Sequence, residues 1–163
     1  MNITHAETGV GPSNKVTAAD WEAAHVITGG LQKATVTLSS ADILDLHNTP
    51  VTLVAAPGAG KWLSVSHASA SLTYGTATYA GGSPTPRWKD GAGAEVNFNI
   101  TDPGSTIAGA TASSVASGPA DTNGILASAD VVNQPLILTS GIAMTTGDST
   151  IAYTVQYTIE DMP

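Results

Sequence analysis

The last regular stretch of the chain, Thr150 to Glu160, reads T-I-A-Y-T-V-Q-Y-T-I-E. Ile151, Tyr153, Val155, Tyr157 and Ile159 share one parity, and Thr150, Ala152, Thr154, Gln156, Thr158 and Glu160 share the other. A helix would scatter both sets around its axis, whereas an extended strand keeps them on opposite faces. β-branched and aromatic side chains suit such a pleated, half-buried surface. The spacing therefore predicts a long antiparallel-type strand with one oily face and one Thr-rich wet face. The rest of the chain must supply partners for that sheet or an appendage outside it.

Partners are legible upstream. Ala34, Val36 and Leu38 alternate with Thr35 and Thr37, and Val51, Leu53 and Ala55 with Thr52 and Val54. Between these two strands, Ser39-Ser40-Ala41-Asp42 has the form of a helix start, with a Ser cap and an acidic residue in the first turn. Ile43, Leu44 and His47 would share a face of that helix, which Thr49-Pro50 stops. Lys61 to Tyr79 is a second long β stretch. Leu63 and Val65 occupy one parity in it and Ala68, Ala70, Leu72 and Tyr74 the other, so one β-bulge between Val65 and Ala68 is expected. Gly75 marks a bend, and residues 81–86 read as a loop. Asp90-Gly91 is a hairpin turn between Arg87-Trp88-Lys89 and a strand carrying Val96, Phe98 and Ile100. Residues 101–124 are nearly all small or polar and read as a long surface loop with one weak edge strand. Gln134 to Thr139 and Ile142 to Met144 are two further short strands. Seven to nine strands at this spacing, with no βαβ rhythm, predict an all-β, antiparallel β-sandwich of jelly-roll type.

Residues 1–32 differ from this body. An irregular lead-in with Gly9, Gly11 and Pro12 precedes Thr17 to His25, which is helix-compatible for about two turns. Val26-Ile27-Thr28 and a Gly29-Gly30 hinge follow. Such an arm cannot bury Trp21, Val26 and Ile27 against itself and is expected to dock on a partner. The chain thus divides into an N-terminal attachment arm, 1–32, and a β-sandwich domain, 33–163.

Composition narrows the function. The 163 residues carry 13 acidic and 5 basic side chains, a formal charge of −8, which argues against a nucleic-acid partner. No cysteine is present, so disulfides and thiolate metal sites are excluded. No apolar run reaches the ~20 residues that span a bilayer, and Met1 to His5 lack the form of a secretory signal, so no membrane partner is expected.

The candidate chemistry is weak throughout. Pro57-Gly58-Ala59-Gly60-Lys61 has some of the form of a phosphate loop, but Ala55 replaces the first glycine and Trp62 the magnesium-binding hydroxyl. Glu22 and His25 could share a helical face as metal ligands, yet di-metal bundles need two such pairs and two further carboxylates. Ser64, Ser66 and His67 lie close in sequence, as do Asp45 and His47. Strand neighbours point to opposite faces, so Ser66 and His67 are not expected to meet as nucleophile and base. Trp88, flanked by Arg87 and Lys89 and near Trp62, reads as a residue packed beneath loops, with stacking on a sugar or peptide as its other use. No catalytic residue, cofactor or metal is expected.

The segment Val16-Thr17-Ala18-Ala19-Asp20-Trp21-Glu22-Ala23-Ala24-His25-Val26-Ile27-Thr28-Gly29 resembles a "DWN-A-H-x-I" element near the start of tailed-bacteriophage virion proteins, with Glu22 in place of the commoner Asn. Val36 to His47, Thr49 to Leu53, Pro57 to Lys61 and Ser71 to Gly75 are similar to small phage structural proteins encoded among capsid and tail genes. The resemblance covers about half of the chain and brings no catalytic residues. It implies a non-enzymatic virion protein decorating or cementing the capsid surface, made in the host cytoplasm and held by the arm through Trp21, His25, Val26 and Ile27. The implied partners are the major capsid protein or another virion protein, within a homotrimer. A tail fibre, tail-tip or adaptor component touching a host-surface glycan is the alternative, and a small polysaccharide hydrolase the third.

Overall fold

The computed structural model describes residues 30–89, 93, 95–97, 103–119 and 127–162. The expected arm helix and arm-binding residues Trp21, His25, Val26 and Ile27 lie outside the described residues, as do the Asp90-Gly91 turn, Phe98 and Ile100.

Among the described residues eight strands build two four-stranded antiparallel sheets. Sheet A has the order β1-β8-β3-β6, where β1 is Gln32–Leu38, β8 Thr150–Asp161, β3 Lys61–Thr73 and β6 Ser114–Pro119. Sheet B has the order β2-β7-β4-β5, where β2 is Val51–Val54, β7 Leu136–Thr139, β4 Thr85–Lys89 and β5 Glu95–Asn97. First pairs with last, second with seventh, third with sixth and fourth with fifth, all antiparallel. That is one long hairpin rolled over itself, the strand order of a jelly roll. The all-β sandwich expected from periodicity is the observed fold.

Strands β3 and β8 form the spine of sheet A. β3 has 13 residues and β8 has 12, and they pair from Lys61↔Asp161 to Thr73↔Thr150 with one register shift between Val65 and His67. Ser66 is the extra residue, so the expected bulge is present. It keeps Leu63 and Val65 on the same face as Ala68, Ala70 and Leu72, and all five are buried. Opposite them, Ile151, Tyr153 and Val155 are wholly buried, and Tyr157 and Ile159 nearly so. Sheet B answers with Leu136, Leu138 and Trp88, each wholly buried. Small and β-branched side chains on one layer thus close over a few large ones on the other.

Among the described residues three short helices connect the strands. In α1 (Ser40–Asp45) the Ser39 hydroxyl accepts from the Asp42 amide, and the Asp42 carboxylate accepts from the Ser39 amide at 2.8 Å and hydroxyl at 2.7 Å. This capping box satisfies donors that a six-residue helix cannot satisfy internally. The Ser39 hydroxyl, and then its amide, hold the Asp42 carboxyl below the usual carboxylate range. The helix drives Ile43 and Leu46 into the core with no exposure. The expected face of Ile43, Leu44 and His47 is therefore shifted. Leu46 takes the buried place, while His47 is exposed because the helix has already ended.

Other expectations need correction. The stretch 101–124 is not one loop: α2 (Pro103–Ala108) buries Ile107 and Ala108 beside β3 and β6, and β6 is the edge strand. Its small residues hid a helix whose apolar content is only one turn deep. Four-residue α3 (Ser128–Val131) also carries no sequence periodicity long enough to read. Residues 142–144 are not a strand; only Thr145 bridges Ala80. β4 begins at Thr85, inside the expected loop, and Leu53 and Val54 are both buried because β2 carries a register shift between Thr52 and Val54.

Replacing Ile43 with Ala should cost about 2–5 kcal/mol, since the plug between the sheets becomes a cavity. Ser39→Ala should cost about 1 kcal/mol through the lost cap. Urea unfolding midpoints of the two variants test that order.

Candidate functional site

Two features of the surface follow from this frame. The first is the outer face of sheet A. Parity places Lys33, Thr35 and Thr37 of β1 outward, beside Thr150, Ala152, Thr154, Gln156, Thr158 and Glu160 of β8. β3 adds Trp62, Ser64, His67, Ser69, Ser71 and Thr73, and β6 adds Val115 and Ser117. Among the described residues of these strands, this face has only Lys33, His67 and Glu160 as ionisable groups. Its hydroxyls bond within the sheet: Thr35 Oγ1 and Thr154 Oγ1 lie 2.8 Å apart across β1 and β8. The result is a sparsely charged, hydroxyl-rich face on a strongly acidic chain.

The second feature is an open cleft of about 520 Å³ beside sheet B. Gly81, Gly82, Ser83, Thr85 and Arg87 form one wall, Gly141 and Ile142 another, and Tyr79, Ala108 and Gly109 the end. Arg87 is the only charged side chain lining it among the described residues. Ile142 stands at the rim, 66% exposed. The walls approach closely because they are glycine: a Cβ at Gly82 would run into Ser140 Oγ and the Ile142 carbonyl. The Ser140 hydroxyl donates to that same carbonyl at 2.6 Å, which fixes the 140–142 bend.

The end of the cleft is held by a knot of polar contacts. Asp148 Oδ1 accepts from the amides of Thr76 at 2.7 Å and Ala77 at 2.9 Å, and Oδ2 accepts from Thr76 Oγ1 at 2.6 Å. Those donors, led by the Thr76 hydroxyl, hold the carboxyl down at about 2. The Tyr79 hydroxyl donates to the Ser149 carbonyl. Burial, with the Asp148 charge a smaller cause, pushes the phenol up to about 12, so it stays a donor. Gly147, with φ +93°, lies against the Tyr79 ring where any Cβ would collide.

The sequence-derived residues fall as follows. Ser66 and His67 were expected on opposite faces; the bulge instead leaves Ser66 exposed beside His67, which pairs with Gln156 on the outer plane. The Ser66 hydroxyl donates to the Gln156 carbonyl at 3.2 Å. Asp45 and His47 turn apart. Asp45 is held below the usual carboxylate range by Thr49 and then Asn48, while His47 Nδ1 donates to the Ser140 carbonyl at 3.0 Å. Trp88 is wholly buried opposite Leu136 in sheet B, so it packs in the core between the sheets rather than beneath loops. Trp62 belongs to the other sheet, where it pairs with Glu160, so the two tryptophans share no strand register. Gly58 and Gly60 adopt positive φ in a turn that receives Asn133 Oδ1 at the Gly58 amide, 3.0 Å away. The 57–61 segment is therefore a strand connection. Among the described residues, no cluster of three His, Asp or Glu side chains could hold a metal ion. Sequence reasoning missed the cleft entirely, because its walls come from three separated segments and no local spacing announces them.

No protein-family model matches the chain, and no curated protein matches it. Among solved structures it is similar to a chain of the cyanophage Pam1 capsid asymmetric unit. That likeness covers 96% of this chain and 100% of the other, at 17% identity and a TM-score of 0.47, and carries no functional argument.

The Asp148 carboxylate should add stability at every pH above the 3.8 of a free side chain, a contribution lost as pH falls through about 2. Urea midpoints of the native chain and Asp148→Asn should differ most near neutrality and converge toward pH 2.

Proposed function

We propose that the chain is a non-enzymatic virion structural protein of a tailed bacteriophage, decorating or cementing the capsid surface. The observation that carries this reading is the sparsely charged, hydroxyl-rich outer face of sheet A on an otherwise acidic chain. A face dominated by Ser and Thr loses little conformational entropy when covered, and it desolvates few charges. It suits holding a surface rather than turning over a substrate. The jelly-roll order is consistent with this use, though the same order also serves lectin domains and cupins, so fold alone does not choose. The resemblance of residues 16–29 and 36–61 to phage virion proteins supplies the remaining support.

In this reading residues 1–32 are the tether, and Trp21, His25, Val26 and Ile27 are its contact residues on the major capsid protein or another virion protein. The body stands off the lattice, where closed symmetric assembly would match the symmetric positions of the shell. The second reading is a tail fibre, tail-tip or adaptor component contacting a host glycan. It is favoured by the open cleft, whose wall runs from Gly81 to Arg87.

Deleting residues 1–30 should leave a folded β-body, by circular dichroism, that no longer co-sediments with particles. Normal attachment of the truncated chain would remove the tether from the scheme. Cryo-microscopy of intact virions separates the two readings: copies over the whole shell mean decoration, and copies at one vertex mean the tail.

A further inference from the structure

Among the described residues the two sheets have four outer strands, β1, β6, β2 and β5. β2 has four residues, follows Pro50 and is broken by a register shift between Thr52 and Val54. β6 ends in Gly118-Pro119. β5 has three described residues, Glu95–Asn97. Short length, bulges, proline and charged side chains, lysine above all, are how sheet edges avoid pairing with other chains. Of these β1 has one, Lys33, whose side chain lies on the outer face. Its seven residues pair with β8 without a register shift, and it contains neither glycine nor proline. Thr35, Val36 and Thr37 give it a run of β-branched residues.

Burial gives a second, independent sign. Ala34 and Val36 point into the sandwich and pack on the core, yet both stay half-buried. Their partners in β8, Val155 and Tyr153, have no exposure at all. The difference lies on the β1 side that faces away from β8, where no strand follows among the described residues.

We propose that the outer edge of β1 is an intermolecular pairing edge, and that its occupant is β1 of a second copy, antiparallel about a two-fold axis at Thr35. In that register Ala34 meets the partner's Val36 on the inner face, which completes the burial left open in one copy. On the outer face Thr35 meets the partner's Thr35, repeating the hydroxyl pair that Thr35 already makes with Thr154. Lys33 meets the partner's Thr37, so the single cation of the strand never faces its own image. The sequence of β1 is thus complementary to itself, as a two-fold contact requires. Two four-stranded sheets join into one of eight strands, and the hydroxyl-rich outer face of sheet A continues across both copies.

The chain has no cysteine, so a single introduced one reports alone. Residues facing each other across an antiparallel pair have Cα atoms about 4.5–5.5 Å apart, inside the roughly 4.4–6.8 Å that a disulfide spans. The full-length Thr35→Cys variant, mildly oxidised, should therefore run mainly as a cross-linked dimer on a non-reducing gel. Ser69→Cys, on the same face but inside the sheet, should cross-link only in trace. Thr35→Lys sets two ammonium groups across the axis and should halve the mass seen by sedimentation while circular dichroism is unchanged. Equal cross-linking of the two cysteine variants, or an unchanged mass for a folded Thr35→Lys, would overturn the assignment. If Thr35→Lys fails to fold, the cysteine pair decides alone. These measurements use the purified chain and hold whether or not the virion reading does.

Discussion

The body of this protein depends on the pairing of β3 with β8. Twelve residues of one strand are matched to thirteen of the other, and the surplus is absorbed at Ser66. Had the strands run in simple alternation, either Leu63 and Val65 or Ala68, Ala70 and Leu72 would face water. One bulge brings both groups under sheet B. The small side chains of β3 then leave room for Tyr153 and Trp88, so the core is filled by few large residues set among many small ones. The flanking strands β1 and β6 find their register on this pair.

Rolling the chain over that spine brings distant segments together at the entry to β8. Asp148 and Ser149 hold the bend at residues 75–77, with the Gly75 amide donating to Ser149 Oγ at 3.1 Å. Gly147 admits the Tyr79 ring where any side chain would bar it. The polar knot orders the loop that leads to Gly81 and Gly82, and so shapes the cleft walls. This shape is fixed by short hydrogen bonds to backbone groups rather than by apolar packing, which is why small polar residues dominate there.

The two faces of sheet A divide the labour of the molecule. The inner face is spent on stability. The outer face, with three ionisable groups among its many hydroxyls, offers area with little charge to desolvate. The formal charge of −8 on the whole chain sets this face apart from the rest of its surface. The proposed structural role would use such a face together with an anchor and a way to meet neighbours. The outer edge of β1, which no described strand covers, fits the last of these, because copies joined there would extend the face instead of burying it.

Much of the fold was legible in the sequence, for reasons that individual residues show. The alternation in Thr150 to Glu160 fixed β8 and its buried face, because side-chain direction in a strand repeats every two residues whatever its surroundings. The parity break between Val65 and Ala68 located the bulge, and Ser39 with Asp42 located a helix start, since a cap is satisfied within four residues. Helices α2 and α3 were not legible: each is shorter than the periodicity that would reveal it, and is held by packing against strands far away in the chain. The same limit applies to Ser66 and His67, where the bulge, a property of two strands, overrode the rule for one. The cleft and the order β1-β8-β3-β6 belong to tertiary structure alone. Local chemistry determined which residues extend and which face turns inward. Which strands became neighbours, and hence which edge stayed open, was decided by contacts between residues up to about a hundred and twenty positions apart, such as Thr35 with Thr154, that no local pattern encodes.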